Sequence, residues 1–183
     1  MNKKMMLIRG ARLLQALDEM TLIDLEQSIV SGFPATTKRQ HATNVVRVNQ
    51  LKIIPFDQTG NLQVDAVARG DGKNYDTKIL FDQIEYLDEE TPTSVTFMGS
   101  DRQEYTIEKI DLASSNVKLS CNCLDFHYRF AYWNKSNDVL LGTPPPPYRR
   151  KTNRPPVNPN KVPGVCKHLI KTVEALRQAG LVD

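Results

Sequence analysis

Cysteine is scarce in this chain, with three in 183 residues. An odd total leaves one thiol over, which argues against a simple disulfide framework. Long apolar runs are missing too: no stretch of about 18 apolar residues offers itself as a bilayer span. The basic start MNKKMMLIRG has neither the apolar core nor the small-residue cleavage site of a secretory signal. The expectation is a protein with no membrane partner, not exported by a signal peptide. Histidine is limited to three residues and tryptophan to one. A glycine-rich phosphate loop, a calcium-loop pattern and a nucleophile at motif spacing from a histidine are all lacking. The acids Asp82, Glu85, Asp88, Glu89 and Glu90 gather around one strand end and read as an exposed turn. Catalysis is therefore not expected.

What is present suits one globular domain with a small appended element. Hydrophobic residues make up 40%, charged residues 25%, and the formal net charge is +3. Leu13, Leu14, Leu17 and Met20, then Leu22, Leu25, Ile29 and Val30, fall at helical spacing. Thr21 with Asp24 is an internal capping signal that splits this segment into two short helices, ended by Gly32 and Pro34. From Val45 the texture changes to short runs rich in β-branched and aromatic residues: VVRVNQLKIIPF, NLQVDAVARG, NYDTKILFDQIEYL, TSVTFMG, QEYTIEKI and NVKLSC. Turn-forming DQTGN, GDGKN, DEETP, GSDRQ and ASSN separate them. The pattern predicts an antiparallel meander, as an open sheet or a small barrel, with Val64, Val67, Ile79, Phe81, Ile84, Val95, Phe97, Tyr105 and Ile107 facing the core.

Helical spacing returns in LDFHYRFAYWNKSND and again in VCKHLIKTVEALRQAGLV, where Gly180 is the expected terminator. Between them, four consecutive prolines followed by Pro155, Pro156, Pro159 and Pro163 forbid helix and central strand. That segment reads as an extended, polyproline-like loop. The fold class is thus α+β: an N-terminal helical segment (1–34), an antiparallel β region (35–118) and a C-terminal element (119–183) carrying a proline-rich arm (143–163).

All three cysteines fall in this last element. Cys121 and Cys123 precede the proline-rich loop, and Cys166 follows it with His168 two residues on. Three thiolates and an imidazole make a closed tetrahedral donor set, the usual coordination of structural zinc. Residues 121 and 123 share a face if the strand continues through them. Cys166 and His168 would diverge by roughly 200° in a regular helix, so Cys166 belongs at or just before the first helical turn. The alternative is that these cysteines are small buried hydrophobes, and iron competes with zinc for any sulfur-rich tetrahedron. His127 is a candidate replacement ligand or hydrogen-bond partner, although a half-buried ring is its commoner role. His41 lies in a polar connection. One bound Zn2+ with three thiolates would change the formal charge from +3 to about +2.

The Cys-x-Cys, long gap, Cys-x-His pattern of Cys121, Cys123, Cys166 and His168 resembles the SWIM-type zinc finger, a module that implies zinc binding and contacts to DNA or protein. The strings SCNCLDFHYRFAYWN, PPPPY, TNRPP and PGVCKHLI also look like a C-terminal element of structural proteins in tailed bacteriophages. That second resemblance implies a virion component of the neck, tail or baseplate, located in the virion or the host cytoplasm. The basic excess is local: Arg149, Arg150, Lys151, Arg154, Lys161, Lys167 and Lys171 occur with no acid between Val139 and Thr172, and Tyr148 sits beside them. An extended arm loses little entropy on docking, so neighbouring protein subunits in a multi-copy assembly are the expected partners. Phosphate contacts with stacking on Tyr148 make nucleic acid the alternative.

Overall fold

A computed structural model describes residues 20–33, 45–146 and 156–183. Helix α1 (Leu22–Gly32) starts where the sequence places a cap. Thr21 Oγ1 accepts from the Asp24 backbone N–H at 3.2 Å, and the Asp24 carboxylate accepts from the Thr21 N–H at 2.9 Å. This reciprocal pair satisfies orphan donors of the first turn. The expected first half of the helical segment, with Leu13, Leu14 and Leu17, lies outside the described residues, as does His41.

Seven strands follow: β1 (Arg47–Phe56), β2 (Asn61–Gly70), β3 (Lys73–Phe81), β4 (Tyr86–Leu87), β5 (Ser94–Met98), β6 (Glu104–Glu108) and β7 (Val117–Cys121). They form two antiparallel sheets, ordered β1-β2-β3-β7 and β4-β6-β5, and do not close into a barrel. In β2, Leu62, Val64, Ala66 and Ala68 are buried while Asp65 and Arg69 point away. Val67 shares the outward parity of Asp65, so it is half-buried and not a core residue as expected; residues three apart cannot share a strand face. The run NYDTKILFDQIEYL is likewise broken into β3 and β4, where Gln83 takes a left-handed φ of 57°. Asp71 and Gly72, with φ of 53° and 76°, make the two-residue turn joining β2 to β3. This is the geometry that suits the right-handed twist of a hairpin.

After β7 the chain enters a helical turn of the wide π type (Phe126–Phe130), in which the Ala131 N–H bonds back to the Phe126 carbonyl. Helix α2 (Ala131–Ser136) continues it. Phe126 and Phe130 are both buried, whereas Leu124 and Tyr128 face solvent. Residues 139–141 then run beside the outer edge of β7, with the Leu119 N–H bonded to the Val139 carbonyl and the Leu141 N–H to the Leu119 carbonyl. Helix α3 (Lys167–Gln178) ends at Gly180, whose φ is 75°. One cluster of buried residues draws on α1, both sheets, the π turn and α3. The C-terminal α3 thus packs against the same core as the meander, and its first turn arrives over the end of β7.

Candidate metal centre

Cys121 is the last residue of β7, and Cys123 follows in the turn before the wide helical turn. The Cys123 N–H points at the Cys121 sulfur (3.5 Å) and the Phe126 N–H points at the Cys123 sulfur (3.3 Å). Donors aimed at sulfur favour the thiolate. Cys166 caps α3 in extended conformation, φ −91° and ψ 168°. That non-helical residue removes the angular divergence a continuous helix would impose, and the Cys166 thiol and His168 imidazole converge. Backbone anchoring explains why the cap sits there. Buried Asn134 of α2 donates through Nδ2 to the Gly164 carbonyl (3.0 Å) and accepts from the Gly164 N–H (2.8 Å). Gly164 is needed for close approach: a Cβ there would lie 2.7 Å from Ile29 Cγ1 and 2.8 Å from Phe130 Cε1.

The result is a buried group of four. Cys121, Cys123, Cys166 and His168 are each at most 7% exposed. Their ligand atoms all lie within 4.8 Å of one another, and all three cysteines are free thiols. His168 turns Nδ1 to two sulfurs at once, 3.9 Å from Cys121 Sγ and 3.9 Å from Cys166 Sγ. A tetrahedron with Zn–S of about 2.3 Å and Zn–N of about 2.0 Å has S···N edges of about 3.5 Å, so the donor set fits one such ion with small adjustments. The group can hold one metal ion such as zinc, and its fourfold protein ligation leaves no coordination position over.

The imidazole is positioned by packing. Its ring stacks on Tyr75 of β3, with centroids 4.1 Å apart and planes 25° from parallel. His168 Nε2 is buried without a hydrogen-bond partner among the described residues and faces Gly70 at the hairpin tip, where a Cβ would come to 3.3 Å. Below it, buried Thr77 and Thr172 share a hydroxyl contact of 2.8 Å, and Thr172 donates to the His168 carbonyl at 3.0 Å. Lys167 pairs with Asp71 of the same hairpin at 3.0 Å. Electrostatically the sulfurs compete for one negative charge. Hydrogen bonds from the Cys121 and Cys166 thiols hold the Cys123 thiol well below its ordinary value. Cys121 is pushed up to about 12, chiefly by its hydrogen bond to Cys123, and burial pushes Cys166 up.

The other expected site residues are dispersed. His127 is exposed and outside the group. Tyr148, Arg149, Arg150, Lys151 and Arg154 lie outside the described residues. Lys161 is exposed, with its Nζ 5.8 Å from the Trp133 ring centroid. Lys167 and Lys171 are engaged within the chain, by Asp71 and Glu174. The return limb of the expected arm is not free. Asn158 is buried and donates to the Arg129 and Val162 carbonyls (2.9 and 2.7 Å), while Asn160 donates to the Gly32 carbonyl. Sequence reasoning passed over Asn134, Tyr75 and Gly70. In the sequence, Pro163-Gly164 just before Cys166 is a visible sign of an irregular backbone at that approach. No protein-family model, curated protein or solved structure matches the chain.

Proposed function

We propose that Cys121, Cys123, Cys166 and His168 bind one Zn2+ per chain as a structural staple, in the manner of the SWIM-type pattern they resemble. The observation that carries this reading is the closed, buried donor set formed by the only three cysteines of the chain. The ion would tie the end of β7 to the start of α3 and close the loop between Cys123 and Cys166. Structural zinc supplies roughly 10 kcal/mol or more in small modules, well above the slowly growing entropy of closing such a loop.

A staple that leaves no coordination position for substrate fits a non-enzymatic protein working through contacts with neighbouring subunits. We place it as an assembly component present in several copies, of the kind found in the neck, tail or baseplate of a tailed phage, with the virion or host cytoplasm as its location. No helix among the described residues is long and apolar enough to cross a membrane. The acid-free stretch from Val139 to Thr172 favours a second reading, a nucleic-acid-binding accessory protein using Tyr148, Arg149, Arg150, Lys151, Arg154 and Lys161. The ion pairs of Lys167 and Lys171 leave them fewer free donors for phosphate.

Elemental analysis combined with native mass spectrometry tests the staple. One zinc per wild-type chain, with Cys121→Ser losing both metal and the ordered C-terminal element, is the expected result; metal-free reduced protein refutes it. Salt separates the two functional readings. Phosphate binding weakens steeply with added salt, as counterion release requires, and a packed protein interface weakens less.

A further inference from the structure

Charge is segregated along this chain. Residues 82–111 carry nine acids against two bases, Arg102 and Lys109, whereas the stretch from Val139 to Thr172 carries seven bases and no acid. The acidic stretch builds the small sheet β4-β6-β5. That sheet has a groove along its incomplete edge, because β4 pairs only with Ile107 and Thr106 of β6, leaving the flank of Tyr105 and Glu104 open on that side.

Asp57, Tyr86, Asp88, Glu104, Tyr105 and Thr106 line the groove. Two aromatic rings form its wall. Tyr86 and Tyr105 meet edge to face with centroids 6.0 Å apart, and Phe97 stacks behind Tyr105 at 6.1 Å. Both hydroxyls are tied back, Tyr86 donating to the Asn61 carbonyl (2.7 Å) and Tyr105 to Asp101 (2.7 Å). The rings are thereby held in fixed orientations. Asp57, Asp88 and Glu104 are exposed along the rim.

Fixed aromatic walls with an acidic rim match a ligand that joins a run of proline rings to a cluster of cations. Proline-rich segments dock in aromatic-lined grooves because their polyproline helix is already ordered and loses little entropy. The chain contains such a ligand in PPPPYRRKTNRPP, residues 144–156. We propose that the acidic aromatic groove of the small sheet receives the proline-rich basic segment of a second copy of this chain. Proline rings lie against Tyr86 and Tyr105, while Arg149, Arg150 and Lys151 face Asp57, Asp88 and Glu104. The contact is heterologous, groove to arm, so it closes by reciprocal exchange in a dimer or by propagation round a ring. This inference rests on the assembly reading above and names the contact that reading needs.

Complementation between variants of the full chain tests it. Asp88→Asn with Glu104→Gln disables the groove, and Arg149→Gln with Arg150→Gln and Lys151→Gln disables the arm. Asp88 and Glu104 are exposed, and circular dichroism confirms that each variant folds. Sedimentation of wild type should show self-association, which each variant weakens at least ten-fold. Mixing the two variants should restore a one-to-one pair, since one intact groove then meets one intact arm. Wild-type association left unchanged in both variants overturns the groove-to-arm contact while the assembly reading stands. A wild-type chain that stays monomeric overturns the second-copy proposal and the multi-copy reading together. Variants that each weaken but fail to complement point to nucleic acid or another partner at the arm, and also overturn it.

Discussion

At the scale of single residues, the grouping of Cys121, Cys123, Cys166 and His168 was legible because two closely spaced pairs use up all the cysteines of a cysteine-poor chain. Their support was not legible. Asn134 reads in sequence as an ordinary polar helix residue, and only the fold reveals that it holds both backbone groups of Gly164, two residues before Cys166. Asn134→Ala would leave a buried N–H and carbonyl without partners, at about 1–3 kcal/mol each. Chemical denaturation of the metal-loaded protein should therefore show a loss of about 2–6 kcal/mol, against less than about 0.5 kcal/mol for exposed Ser136→Ala.

The thiols also fix a pH dependence. With Cys121 pushed up to about 12 and Cys166 raised by burial, the metal-free centre keeps two thiol protons near neutrality, and Cys123 is already a thiolate. A bound ion needs all three deprotonated. Binding must then release two protons, so apparent affinity rises with pH by about a hundred-fold per unit and falls as pH drops. Calorimetric titrations of zinc in buffers of different ionisation enthalpy should return a proton count near two.

At the scale of elements, the strands were readable wherever alternation and turn chemistry agreed, as in β2, β3 and their Asp71-Gly72 turn. Two features were not. β3 and β4 share one strand-like run that gives no sign of the break at Gln83, because a left-handed residue other than glycine is permitted by tertiary context and not by sequence preference. The wide turn at Phe126–Phe130 was equally hidden, since its spacing of buried Phe126 and Phe130 is also that of an α-helix. The staple makes a prediction at this scale. β1, β2 and β3 form a continuous ladder over a shared core, whereas the Cys121–Phe126 turn and the first turn of α3 reach it through side-chain contacts such as Asn122 with Asp76, Lys167 with Asp71 and Thr172 with Thr77, to which a bound ion would add four ligand bonds. Chelation should raise amide exchange at 121–126 and 165–170 by at least ten-fold, while 62–68 in the centre of the ladder remains protected.

At the scale of the whole molecule, the α+β class followed from texture, helical at the two ends and extended between. The choice between an open sheet and a barrel did not, because closure depends on strand tilt and register that alternation leaves undetermined. β7 shows the reason: it joins β3 across the inserted small sheet, a long-range pairing with no local signal. That pairing carries Cys121 to the first turn of α3, and the centre exists only because the distant ends of the C-terminal element meet there.

The most direct test of the staple is X-ray absorption at the zinc edge on the purified full chain. Three sulfurs at about 2.3 Å and one nitrogen at about 2.0 Å, with no oxygen ligand, are the expected result. A first shell containing water or carboxylate oxygen, or protein that takes up no zinc after reduction, would contradict the closed staple.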